Sequence, residues 1–224
     1  MTRTTNARVA GFAYLFYIAV AFPDMLLMNR ATAGEGTAAK LASIAQHVSD
    51  IRISVVLTLL SGLSALVLAV TLYAITRDED RDLAMLGLTC RVAEGITGVV
   101  GISTTLGLLW LATATGPNAP DSAAAQPLAA FLLRRDPLVA ATFFAVGSTA
   151  FCWLLLRGRM IPVPLAWLGV VASVLLVVAL PLELAGVLRG AVTQLIWLPM
   201  AAFEIPLGVW WLIKGDTTRV PQTP

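Results

Sequence analysis

Six apolar runs, each near or above the length that a helix needs to cross a bilayer, constrain this chain more than any other feature. They cover roughly residues 8–28, 51–76, 83–113, 137–156, 162–184 and 191–213. A hydrocarbon core about 30 Å thick requires roughly 20 apolar residues in a helix. Charged residues make up 12% of the chain, about half the fraction that is typical of soluble domains. The runs therefore predict an integral membrane protein.

The bilayer also restricts the type of secondary structure. An open sheet edge in lipid would leave backbone groups without hydrogen bonds, so every run is predicted to be a helix. We expect an all-α, polytopic bundle that forms a single transmembrane domain over residues 1–224. The first run is about 20 residues long and lacks an A-x-A-like cleavage site, so it is interpreted as a retained span and not a signal peptide.

Two connections are longer than turns, residues 29–50 and 114–136. In the first, the apolar residues Leu41, Ile44, Ala45 and Val48 recur at helical spacing, with His47 among them. The second begins with a turn cluster at residues 116–121 and continues with an apolar stretch. Both connections predict a short interfacial helix on the extracytoplasmic side.

The distribution of basic residues indicates the orientation. With the N-terminus in the cytoplasm, eight basic residues lie on the cytoplasmic side and six on the other side. The cytoplasmic set is Arg3, Arg8, Arg77, Arg81, Arg157, Arg159, Lys214 and Arg219. The set on the other side is Arg30, Lys40, Arg52, Arg134, Arg135 and Arg189. The short turn at Arg157 and Arg159 is purely basic. We therefore expect both termini to be cytoplasmic.

Composition argues against several classes of function. A net charge of +2, without interleaved aromatic and basic residues, does not indicate nucleic-acid binding. His47 is the single histidine, and Cys90 and Cys152 lie alone inside predicted spans. One histidine cannot supply the usual ligand set of a zinc or haem site, so no metal or cofactor is expected. The two cysteines are interpreted as small packing residues.

Arg91 and Glu94 stand out in the third run, because each costs about 2.5–3.5 kcal/mol at the centre of a membrane helix. They are three residues apart, so they share a helix face and can neutralise each other or reach partners on a neighbouring helix. The same face carries the small residues Gly87, Gly98 and Gly101, which allow close helix approach. Glu94 lies about 16 Å from the start of the run, near mid-bilayer. This face is predicted to point into the bundle.

Three further carboxylates accompany prolines in the apolar runs. Asp24 follows Pro23, Glu183 lies close behind Pro181, and Glu204 lies between Pro199 and Pro206. A proline frees a carbonyl one turn earlier, which favours a polar cavity nearby. Together with Arg91 and Glu94, these groups would cost roughly 12–17 kcal/mol if all were charged and unpaired. We therefore expect them to be paired, protonated or in contact with water.

The pattern predicts an outward-opening cavity with Arg91, Glu94 and Glu204 at its floor. Two carboxylates beside one arginine experience unlike environments, so one can stay ionised while the other keeps its proton. Glu94 and Glu204 are the candidate catalytic residues. Arg91, Asp24, Glu183 and Tyr17, whose hydroxyl can point inward, are the candidate ligand-binding residues. Three interpretations stay open: a ligand or substrate site, a proton or ion pathway, and a structural ion pair that fixes helix register.

Four stretches resemble a family of bacterial membrane proteins, domain of unknown function 4386. They are RVAGFAYLFYIAVAF at the N-terminus, CRVAEG in the third run, FCWLLLRGRMIPVPLAWLG across the fourth and fifth runs, and PMAAFEIPLGVWWLIKG near the end. The resemblance implies a bundle of about six helices in the bacterial inner membrane. It also implies that Arg8, Arg91, Glu94 and Glu204 occupy characteristic positions. The resemblance leaves the activity open.

The leading hypothesis is a membrane protein that binds a small lipophilic molecule at this polar floor. If it is an enzyme, we expect acid/base chemistry on an isoprenoid or lipid, a layout similar to that of membrane-embedded terpene cyclases. The alternatives are a proton-coupled carrier and a non-catalytic partner subunit. The second half has no equivalent of the Arg-x-x-Glu motif, which disfavours an inverted-repeat carrier. Membrane lipid is the expected partner, and self-association stays open.

Overall fold

The computed structural model describes residues 2–117, 119–134 and 137–215. Regular structure in this part of the chain is entirely helical, which confirms the predicted all-α class. The helices are α1 (Arg3–Ala31), α2 (Gly36–Gln46), α3 (Val48–Thr76), α4 (Arg81–Thr113), α5 (Ser122–Leu132), α6 (Leu138–Arg157), α7 (Val163–Leu184), α8 (Val192–Leu195) and α9 (Leu198–Lys214). Asn118 of the predicted turn cluster, and Arg135 and Arg219 of the charge count, lie outside the described residues.

Among the described residues, six helical segments are long and apolar enough to cross a membrane. They are α1, α3, α4, α6, α7 and the segment Val192–Lys214, and each coincides with one of the six apolar runs. The multi-pass membrane architecture predicted from the sequence is therefore confirmed. The long helices begin before or end beyond several of the apolar runs, because flanking polar residues extend the helix without adding hydrophobicity.

The sequence suggested one uninterrupted helix for the sixth segment, but the structure divides it into two. It consists of the four-residue α8 and the longer α9, separated at Ile196 and Trp197. Pro199 lies in the first turn of α9 and has no N–H to donate to the carbonyl of Leu195, so the helical ladder is interrupted there. By contrast, the helices continue through Pro23, Pro181 and Pro206.

The two predicted short helices are present as α2 and α5, which contact each other. Ile44 of the apolar rhythm in α2 is fully buried. The carboxylate of Asp121 caps α5 by accepting the backbone N–H of Ala124 at 2.8 Å. His47 lies one residue beyond α2, with its Nδ1 2.8 Å from the carbonyl oxygen of Ser43.

The chain divides into two compact units, and the larger one contains residues 1–17, 63–95 and 138–224. Within it, α7 contacts both α6 and α9. Its core contains Leu72, Phe151, Leu176, Phe203 and Trp211, all nearly inaccessible to solvent. We call this the first unit.

The second unit contains residues 18–62 and 96–137, and thus all of α2 and α5. Its smaller core includes Ile44, Ile51, Leu108 and Ala129. A single domain over residues 1–224 stays a prediction.

Candidate functional site

Arg91 and Glu94 form a buried ion pair on α4, inside the first unit. The Nη1 of Arg91 donates to Oε2 of Glu94 at 2.8 Å. The two side chains are only 1% and 7% exposed. At this distance and burial the pair is a charge-assisted hydrogen bond in a medium of low dielectric constant. One positive and one negative charge therefore cancel within a single helical turn.

Tyr17 of α1 supplies a second hydrogen bond to the Glu94 carboxylate. Its hydroxyl donates to Oε1 of Glu94 at 3.3 Å, so both carboxylate oxygens accept a hydrogen bond. Hydrogen bonds to the ionised form of a carboxylate stabilise its negative charge. Glu94 is thus held in place from two directions.

Aromatic rings contact the guanidinium of Arg91. Its Cζ lies 4.7 Å from the ring centroid of Phe144 on α6 and 5.9 Å from that of Tyr14 on α1. Both distances fall within the range of cation–π attraction. Tyr14 also lies near Trp211 of α9, with 6.3 Å between the ring centroids. The arginine is therefore surrounded by groups from several helices.

Small residues allow α4 and α6 to approach at this point. A Cβ atom on Gly147 would lie 3.0 Å from Cβ of Cys90 and 3.2 Å from Cγ of Arg91. A Cβ atom on Gly87 would lie 2.9–3.0 Å from ring atoms of Phe151. Because both positions are glycine, the α6 face that carries Phe144 and Ser148 packs directly against Arg91.

Glu204 of α9 differs from Glu94 in having no hydrogen-bond partner among the described residues. It is 7% exposed, and it lies close enough to Arg91 and Glu94 to interact with them electrostatically. Within residues 2–117, 119–134 and 137–215, its carboxyl makes no hydrogen bond and no ion pair within 4.0 Å. The polar atoms of the described chain that are fully buried without a hydrogen bond include Nε of Arg91 and Oγ of Ser148.

The structure thus brings four of the six candidate residues into the first unit's polar cluster, which we define as Tyr17, Arg91, Glu94 and Glu204. Glu183 is half-buried near the end of α7 and has no hydrogen bond or ion pair with this cluster in the described structure. Asp24 belongs to the second unit. There its carboxylate accepts hydrogen bonds from the hydroxyls of Ser54 and Thr58 on α3, the latter at 3.1 Å.

Sequence reasoning missed Phe144, Ser148, Ser54 and Thr58. Ser54 and Thr58 are four residues apart in one helix, a spacing that presents two hydroxyls on one face and would have indicated a polar partner. Phe144 and Ser148 have the same spacing on α6, but nothing in an apolar run marks which face meets Arg91.

Metal-ligating residues do not cluster in the part of the chain that the structure describes. No group of three or more His, Cys, Asp or Glu side chains there is placed to hold a metal ion. Cys90 and Cys152 are both buried free thiols. The side chains of the polar cluster supply an ion pair, a phenol and one further carboxyl group.

A comparison with known protein families identifies the family of this chain. The model of the family described as Domain of unknown function (DUF4386) covers residues 9–215. The chain belongs to this family. No curated protein and no solved structure matches the sequence. The resemblance noted from sequence is thereby confirmed, and every residue of the polar cluster in this DUF4386 protein lies inside the matched range.

Proposed function

We propose that this DUF4386 protein binds a small lipophilic molecule at the polar cluster, with Glu204 as the acid/base group that faces the ligand. The observation that carries the proposal is the contrast between the two buried glutamates. Glu94 has two hydrogen-bond donors, whereas Glu204 has none in the described chain.

A purely structural ion pair would not account for this contrast. Buried polar groups in native proteins are almost always hydrogen-bonded, and a buried group without a partner costs about 1–3 kcal/mol. Arg91 and Glu94 already neutralise each other. Glu204 adds nothing to that pair, yet it retains a carboxyl group in a segment of α9 whose neighbours are apolar. A ligand whose polar atom bonds to Glu204 supplies the partner that the protein does not.

We propose different roles for the two glutamates on the basis of their surroundings. Glu94 is ionised, because Arg91 and Tyr17 both donate to it, and it holds the arginine in position. Glu204 carries a proton, because a second negative charge in this site would have no cation to balance it. A neutral carboxylic acid donates a proton to a double bond or oxygen of an isoprenoid or lipid, and its carboxylate recovers a proton when the product forms.

Native mass spectrometry, with organic-phase extraction of bound molecules, tests the proposal. Wild type is compared with Glu204→Gln and with Glu79→Gln, the same chemical change in the turn between α3 and α4. We expect a lipophile to co-purify with wild type and Glu79→Gln, and its occupancy to fall about tenfold or more in Glu204→Gln, equivalent to about 1.4 kcal/mol.

Two outcomes would overturn the proposal. If no variant carries a lipophile and Glu204→Gln changes only thermal stability, the cluster is a structural ion pair. If no lipophile binds and wild type instead carries protons across liposomes in a Glu204-dependent manner, the protein is a proton-coupled carrier.

The proposal includes a location. We place the protein in the bacterial inner membrane with both termini in the cytoplasm and membrane lipid as its surroundings. The basic turn at Arg157 and Arg159 supports this orientation, since cytoplasmic loops are enriched in basic residues.

A further inference from the structure

The groups at and beside the cluster that have no hydrogen-bond partner are suited to an uncharged ligand and not to an anion. In the described chain, two of them belong to the cluster itself, the Nε–H of Arg91 and the carboxyl of Glu204, and the third is the hydroxyl of Ser148 on α6. A guanidinium N–H, a hydroxyl and a protonated carboxyl can each donate a hydrogen bond to an uncharged oxygen. Ser148 is 5% exposed and follows Gly147, where an added Cβ atom would lie 3.2 Å from Cγ of Arg91.

The charges of the cluster leave no cation for an anionic ligand. Arg91 is its one basic residue, and the 2.8 Å bond to Glu94 already balances that charge. The remaining ionisable neighbours are Glu204, the phenols of Tyr14 and Tyr17, and the thiol of Cys152, all of which are neutral or negative. An isolated anion buried without a counter-ion carries a large desolvation cost.

The surroundings of the guanidinium limit the positive charge that it can offer to a ligand. The ring centroids of Phe144 and Tyr14 lie 4.7 and 5.9 Å from Cζ of Arg91, and Nη1 donates to Glu94. The charge of Arg91 is therefore shared with one carboxylate and two aromatic rings, while its Nε–H has no hydrogen-bond partner in the described structure.

We infer that the lipophile bound at this cluster carries an uncharged hydrogen-bond-accepting oxygen, such as that of a carbonyl or an alcohol, and no carboxylate or phosphate. This inference rests on the proposed function and narrows its substrate class. Arg91 Nε–H and the Ser148 hydroxyl donate to the oxygen, and Glu204 is the acid beside it.

A series of probes with the same hydrocarbon chain tests the inference. Farnesal, farnesol, farnesoic acid, farnesyl diphosphate and the hydrocarbon farnesene, with their geranylgeranyl counterparts, are measured by equilibrium dialysis against the full-length protein in lipid nanodiscs. Empty nanodiscs correct for partitioning into lipid. We expect the aldehyde or alcohol to bind more tightly than the hydrocarbon, and the acid and diphosphate to bind no better than the hydrocarbon.

Ser148→Ala provides a second readout. It should weaken binding of the preferred neutral probe roughly two- to tenfold, the value of one hydrogen bond. Thr149→Val is the matched control, because that hydroxyl on the same helix donates to the carbonyl of Ala145 at 2.8 Å and not to the cluster. Tighter binding of the acid or diphosphate would overturn this inference while leaving the lipophile site intact. Binding of no probe at either chain length would contradict the proposed function itself.

Discussion

Arg91 and Glu94 depend on each other, because each is buried and each is the other's counter-ion. Their side chains are 1% and 7% exposed. Removing one partner of such a pair strands a charge in a medium of low dielectric constant, whereas removing both need not destabilise the fold. The loss of stability caused by a substitution here therefore depends on whether an unpaired charge stays buried, and less on the hydrogen bond that is removed.

The first prediction follows from this dependence. Glu94→Leu should lower the free energy of unfolding by about 3–5 kcal/mol, because Arg91 then stays charged and unpaired. The double variant Arg91→Met/Glu94→Leu should lose clearly less. Denaturant titration in detergent micelles measures both. A double variant as unstable as Glu94→Leu alone would show that the pair contributes more than mutual neutralisation.

Asp24 is satisfied by side-chain hydroxyls instead of a cation. Ser54→Ala should destabilise the protein by about 1.5–3 kcal/mol, and Thr58→Val by a similar or smaller amount, because a hydrogen bond to a charged group is lost. Thr89→Val is the control, since its hydroxyl bonds only to the carbonyl of Met85 one turn earlier. Thermal unfolding in micelles separates the variants. Equal effects of Thr58→Val and Thr89→Val would contradict the assignment.

The sequence predicted residues well where their partners are local. The spacing of Arg91 and Glu94 in one helix is enough to predict that they meet. Phe144 lies more than fifty positions away, and its contact with Arg91 depends on how α6 rotates and packs, which an almost uniformly apolar run does not specify. Asp24 was grouped with the cluster because it is acidic and near a proline, but charge alone does not indicate which helix supplies its partner.

Helix packing in the first unit depends on glycines at points of close approach. A Cβ atom on Gly11 of α1 would lie 2.7 Å from the carbonyl oxygen of Gly208 and 2.9 Å from the backbone nitrogen of Leu212 on α9. These are backbone atoms, which cannot rotate away as a side chain can. The two helices can therefore keep this separation only while Gly11 has no side chain.

The third prediction concerns this contact. Gly11→Ala should destabilise the protein by about 1–3 kcal/mol, because α9 must move away. The control is Gly98→Ala on α4, where an added Cβ would meet nothing within 4 Å. There the change should be neutral or stabilising by up to about 1 kcal/mol, since alanine favours helix over glycine. Comparable losses of thermal stability in both variants would contradict the close packing of α1 and α9.

The ends of helices were predictable where the sequence changes from apolar to charged residues. The break inside an apolar run was missed. The turn at residues 77–80 follows a switch from apolar to charged residues, and Asp80 caps α4 by accepting the N–H of Leu83 at 3.0 Å. The break before α9 lies inside an apolar run. The sequence predicts one span over this run, whereas the missing N–H of Pro199 separates α8 from α9.

At the scale of the whole molecule, the order of the six segments sets which connections share a side of the membrane. The α3–α4 turn precedes and α5 follows α4, one of the segments long and apolar enough to cross a membrane, so a single crossing by α4 predicts that they face opposite sides. The overall architecture was the most predictable feature of all, because hydrophobic length is a direct physical requirement for crossing a bilayer. Orientation depends on a small excess of basic residues and needs a measurement.

The fourth prediction is the labelling pattern of single cysteines. In a Cys90→Ala/Cys152→Ala background, a membrane-impermeant maleimide should label Gln126→Cys on α5 in spheroplasts with intact inner membranes. It should label Asp78→Cys in the α3–α4 turn only after the membrane is permeabilised. The reverse pattern would invert the proposed orientation, and labelling of both sites in intact spheroplasts would contradict the assignment of α4 as a single span.

The placement of the ion pair within one helix also bears on biogenesis. The ribosome completes α4 before α6 and α9, so Phe144 and Glu204 do not yet exist when α4 first meets lipid. An unpaired arginine would then oppose insertion by about 2.5–3.5 kcal/mol, but Glu94 travels with Arg91 in the same turn. The segment leaves the translocon with its charges already cancelled. Glu204 lies on the final helix, so it joins the cluster after Arg91 and Glu94 have already neutralised each other on α4.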